Sequence, residues 1–139
     1  MAYADVGIVI GFHSPDQCND FIMAYKMMKP EFWDRMIAGH WKKSTMERYG
    51  DPDICTLVGK YDGIAWPYGN ANEIQDMLRF AANNFTAAWK LIRFGSDIDD
   101  IREDYGNSED DGSLEIADHI HDCLDVERTM HIKEDGKLI

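Results

Sequence analysis

The chain has 139 residues, 45% of them hydrophobic, with 26 Asp/Glu against 14 Lys/Arg and a formal net charge of −12. This is enough for one domain around a single core, and it excludes global disorder. So acidic a surface disfavours direct contact with nucleic acid or an anionic membrane, and no apolar run approaches the ~18–20 residues that cross a bilayer.

The opening MAYADVGIVIGF has no basic leader or cleavage site and does not read as a signal peptide. Residues 5–12 set Val6, Ile8 and Ile10 on one face with Val9 opposite, and Gly11 closes the run, which predicts a buried strand. Ser14-Pro15-Asp16-Gln17 then predicts a helix start, with Ser14 as cap, Pro15 at the first turn and Gln17 completing a capping box. Cys18, Phe21, Ile22, Tyr25 and Met28 form its core stripe. Pro30 stops this helix and opens a short second one carrying Phe32, Trp33, Met36 and Ile37.

Residues 39–52 read as irregular and mildly basic. Ile54 to Trp66 reads as a hairpin turning at Lys60-Tyr61-Asp62-Gly63. Asn72 is placed as the cap of a third helix with Ile74, Met77, Leu78 and Ala81 inward. A break at Asn83-Asn84 leads into a strand over 85–94. Ser96 and Asp99 form a second capping-box signature, with Ile98, Ile101 and Tyr105 on one face of a short helix closed by Gly106. Residues 107–113 read as an acidic loop, and 114–124 fit either a helix or a strand. Leu124 to Ile132 reads as a last strand, with a turn at Glu134-Asp135-Gly136. The expected architecture is a single α+β domain over residues 1–139, a mainly antiparallel sheet with two or three helices on one face.

Charge is the strongest functional lead. Thirteen carboxylates and one arginine, Arg102, lie between Asp97 and Glu127, whereas residues 1–70 carry nine acids against seven Lys/Arg. Dense like charge opposes compaction, so its concentration in one segment needs a reason. Asp97, Asp99, Asp100, Glu103, Asp104, Glu109, Asp110, Asp111, Asp118, Asp122 and Asp125 are the candidate partner-binding residues. Helical or strand spacing puts neighbouring carboxylates ~5–7 Å apart, comparable to the spacing of backbone phosphates. The bland alternative is a solvated face that keeps a small domain soluble.

From Tyr61 to Ile132 the order YDGIAWPY, a helix, AAWKLIRFGSDIDDIREDYG and LDVERTMHI resembles small acidic accessory proteins of phages and mobile elements, of the anti-restriction and anti-CRISPR kind. The resemblance implies a protein that acts on a host system by mimicking a polyanion. It does not extend to residues 1–60.

Four other constellations carry candidate chemistry. Asn107, Glu109, Asp111, Gly112, Leu114 and Asp118 follow the alternation of a calcium loop. Asn107 stands where Asp is usual, however, and Asp118 replaces the bidentate Glu. His119 and His121 on a strand, or His119 and Cys123 on a helix, offer two zinc ligands without a second pair. Cys18 at a helix start with His13 nearby is a conceivable nucleophile, but no oxyanion or orienting group accompanies it. Trp41, set in Gly-His-Trp-Lys-Lys outside any apolar stripe, is a candidate interface anchor; Trp33 and Trp66 read as core. The three cysteines lack a Cys-x-x-Cys and fit reduced thiols.

No Walker, dinucleotide or G-x-S-x-G motif is present. The expectation is therefore a cytoplasmic inhibitor without cofactor, not an enzyme. It would bind the basic groove of a nucleic-acid-handling host protein, with a homodimer also open. A calcium- or zinc-dependent module and a self-associating structural protein are the alternatives.

Overall fold

The computed structural model describes residues 2–48, 51–66, 70–95, 101–106, 124–126, 130–132 and 136–139. The fold is α+β. Its centre is a six-stranded sheet in the order β5-β4-β1-β3-β2-β8, built from β1 (Ala2–Phe12), β2 (Trp41–Arg48), β3 (Asp51–Trp66), β4 (Ala88–Phe94), β5 (Ile101–Gly106) and β8 (Lys137–Leu138). Every neighbouring pair is antiparallel. A separate two-stranded ribbon joins β6 (Leu124–Val126) to β7 (Met130–Ile132).

The sequence of β1 explains its central place. Val6, Ile8 and Ile10 face the helices, while Val9 points the other way, and all four are fully buried. A strand covered on both faces reads as a nearly continuous apolar run. Against one face of the sheet pack α1 (Pro15–Met28), α2 (Pro30–Phe32) with the π-helical turn Trp33–Ile37 that follows it, and α3 (Asn70–Phe85). Phe12, Phe21, Tyr25, Ile74, Met77, Leu78 and Leu91 fill the space between. On the other face Val9, Ile54, Thr56, Val58, Ala88, Lys90 and Ile92 are buried too. Strand β6 approaches β1.

Ser14 caps α1 as its sequence indicates, its Oγ accepting the Gln17 N–H at 3.2 Å, with Pro15 in the first turn. The reciprocal half of the capping box is not formed, because Gln17 Oε1 is buried without a partner among the described residues. Met28 leaves the stripe and is half exposed, since the helix ends there. Helix α3 begins at Asn70, so Asn72 lies inside its first turn. The chain leaves α3 through Thr86, whose φ of 51° reverses direction before β4.

Three segments depart from the local reading. Residues 41–48 form strand β2, paired along β3 from Trp41↔Gly59 to Arg48↔Asp51. The expected hairpin at 60–63 is one unbroken strand. Its turn signal is spent on a bulge in which Asp62 and Gly63 face Asp5 alone. Gly63 takes a φ of 68° there, and its N–H donates to Asp5 Oδ1 at 2.8 Å. The expected helix around Ile101–Tyr105 is strand β5, paired with β4 at every residue. The expected last strand, Leu124–Ile132, is instead a short hairpin.

Candidate interaction surface

The acidic segment enters the described structure at two points. Glu103 and Asp104 lie in β5, opposite Ile92 and Leu91 of β4. Asp125 lies in β6, opposite His131. Asp104 is half-buried on the helix side of the sheet. The side chains of Glu103 and Asp125 lie outside the described structure, as do Asp97, Asp99, Asp100, Glu109, Asp110, Asp111, Asp118 and Asp122 altogether.

Topology gives the described part of this segment a definite location. Strand β5 closes one end of the sheet, while the opposite end is formed by β2, with Lys42, Lys43 and Arg48, and by β8, with Lys137. Four strand spacings of ~4.8 Å separate β5 from β2 by about 19 Å, and a fifth sets β8 about 24 Å away. The Debye length at physiological salt is only ~8 Å. The far end therefore contributes little, but Lys90 and Arg93 lie on β4 next to β5, and they and Asp104 all have interactions within the domain. The far end of β5 is pinned by Trp89, whose indole lies over Gly106 at the paired position; a Cβ on Gly106 would overlap the ring.

Trp41 is not an exposed anchor. It is 0% exposed and lies in the core cluster. Its indole covers Gly59 across β2 and β3, and its Nε1–H donates to Tyr61 Oη. Tyr61 in turn donates to the Met36 carbonyl at 2.6 Å. Lys and His neighbours gave Trp41 a surface appearance because the glycine that receives it is far away in sequence. Trp33 is buried as expected.

Cys18 does not have the environment of a nucleophile. It is fully buried beside Cys55, while His13 is half-buried at the end of the strand. Its hydrogen bond with Cys55 and its burial push the Cys18 thiol far up, to where it stays protonated. Both thiols are free. Among the described residues no three His, Cys, Asp or Glu gather as metal ligands. The calcium-loop residues 107–118, and His119, His121 and Cys123, lie outside the described residues. No helix among the described residues is long and apolar enough to cross a membrane.

One surface groove, of about 440 Å³, runs between the end of α1, α2 and α3. Met28, Pro30 and Phe32 supply its apolar part, and Lys29, Glu31, Arg35 and Glu73 its rim. Arg35 Nη2 donates to both Glu73 oxygens at 3.1 Å, tying α3 to the π-helical turn through exposed side chains. The two signs of charge balance there.

The composition gave no sign of Lys90, buried at 3% exposure on the second face of the sheet, or of the exposed pair Met23 and Met27 on α1. Lys90 sits between apolar neighbours in a strand buried on both sides, a place where lysine is rare unless its charge is compensated. Comparison with protein-family models, with curated proteins and with solved structures finds no match to the chain.

Proposed function

We propose that this protein is an inhibitor that binds a nucleic-acid-handling host protein of the restriction or CRISPR effector class, its acidic segment standing in for the phosphate backbone. The observation that carries the reading is the charge distribution: between Asp97 and Glu127 thirteen carboxylates face one arginine, and the rest of the chain is nearly neutral. A groove that gains affinity by releasing counterions from DNA accepts a comparable line of carboxylates. The likeness to phage accessory proteins supplies the target class.

Such binding depends on screened charge and weakens as salt rises. The test is capture from host lysate on the immobilised protein, followed by elution with a salt gradient and, separately, with duplex DNA. The expected result is a nucleic-acid enzyme released by both. A captured partner that neither salt nor DNA displaces would reject phosphate mimicry.

A further inference from the structure

Two sulfurs are buried against each other where α1 packs on the sheet. Cys18 lies in the first turn of α1, and its N–H donates to the Ser14 carbonyl at 3.2 Å. Cys55 lies in β3, paired with Phe12 of β1 on one side and Thr45 of β2 on the other. Both cysteines are 0% exposed, both belong to the core cluster, and both are free thiols. The Cys18 S–H donates to the Cys55 sulfur, so the two side chains are already in contact. The pair nonetheless lies close to solvent. Thr45, opposite Cys55, is exposed, and Lys43 is half-buried, its Nζ donating to Asn19 Oδ1 of α1 at 3.0 Å.

The two thiols are not equivalent. The hydrogen bond from Cys18 lowers the Cys55 thiol below its ordinary value, and the Lys43 ammonium and the Thr45 hydroxyl act in the same direction, against burial. The same bond, together with burial, holds Cys18 protonated. A thiolate beside a thiol is the arrangement of an attacking and a resolving cysteine. We propose that Cys18 and Cys55 form a reversible disulfide under hydrogen peroxide, clamping α1 to β3. The Cys55 thiolate attacks one peroxide oxygen, the O–O bond breaks, and the leaving hydroxide takes up a proton to become water. The Cys18 sulfur then attacks the Cys55 sulfenic acid, the S–O bond breaks, and the Cys18 proton leaves with the hydroxyl as a second water. Two thiols and one peroxide thus give one disulfide and two waters, and a dithiol reductant reverses the link. Hydrogen peroxide is little larger than water and enters as the first turn of α1 opens locally, which bulkier alkylating reagents do not.

The test treats the full native chain with a small excess of hydrogen peroxide, blocks the remaining thiols in urea and maps the peptides without reduction. The expected result is a peptide pair joined through Cys18 and Cys55 and released by dithiothreitol. The thermal midpoint should rise by about 10 °C, because a link across so long a loop constrains the unfolded chain. In Cys18→Ala a dimedone-reactive sulfenic acid is expected to persist on Cys55, and in Cys55→Ala none should form on Cys18. Thiols left free after peroxide, a link from either cysteine to Cys123, or a link formed only in urea would overturn the pairing. A link that lowers the midpoint would overturn the clamp, and sulfenic acid on Cys18 in place of Cys55 would overturn the roles. The map of the parent chain decides the proposal even where a variant fails to fold.

Discussion

Trp41 and Gly59 face each other across β2 and β3, and the indole occupies the space where any other residue at 59 would place its Cβ. The missing side chain lets the largest residue of the core lie flat on the sheet. Alanine at a strand glycine ordinarily gains up to ~1 kcal/mol from reduced backbone freedom. Here the overlap with the ring wins. Gly59→Ala is expected to destabilise the fold by about 1–3 kcal/mol, the range for overpacking a dense core, as a lower urea midpoint without a change of slope. A midpoint equal to or above that of the parent would show that the ring does not depend on the glycine.

Tyr61 links this pair to the helical layer by accepting from Trp41 and donating to the Met36 carbonyl. Tyr61→Phe keeps the ring and leaves both partners buried and unpaired. A loss of about 1–3 kcal/mol is expected from stranding such groups, together with a change in tryptophan fluorescence as the Nε1–H loses its acceptor.

Alkaline pH should unfold the protein through its buried phenols. Burial, reinforced by the Asp76 and Glu73 carboxylates, pushes Tyr25 from 10.0 up to about 12. Burial raises Tyr61 as well, against the opposing donation from Trp41. A raised folded-state value means that the stabilisation is whole below pH ~10, where both states are protonated, and is lost as pH climbs toward 12 and the unfolded chain releases protons first. The urea midpoint is therefore expected to fall across that window, and less steeply in Tyr25→Phe. A midpoint that is flat there would contradict the burial of these rings.

The two described cysteines should be silent toward alkylation. Cys18 and Cys55 are both fully buried, which keeps the reagent from either sulfur, and the Cys18 thiol, raised by its hydrogen bond with Cys55 and by burial, stays protonated. Peptide mapping after brief iodoacetamide treatment is expected to find neither modified in the native protein and both modified in urea. Rapid native labelling of Cys18 would revive a reactive-thiol reading.

Local signals located β1, the Ser14-capped helix, the stripe of α3 and the strand after Asn84, because there periodicity, capping and burial agree. They failed where a distant partner decides. Of residues 41–48 only Trp41 and Met46 are apolar, so the strand has no alternation to read, and it exists because β3 offers an edge. Gly63 is as apt for a bulge as for a turn, and only the position of Asp5 distinguishes the two. In β5 the capping-box signature and the i, i+4 spacing of Ile101 and Tyr105 favoured a helix, but pairing with β4 overrode them. The acidic lead is legible in the sequence as charge. That its described core is a sheet edge is not, since a strand's rank in a sheet depends on every other strand.

The central claim is that the acidic segment makes the contact with the partner. The most direct measurement is a binding titration of the enzyme captured from lysate with the parent protein and with a variant carrying Asp97→Asn, Asp99→Asn, Asp100→Asn, Glu103→Gln and Asp104→Asn, whose thermal unfolding is followed in parallel. Loss of binding and inhibition with the cooperative transition retained is the outcome expected. Undiminished inhibition by the folded variant would contradict the account.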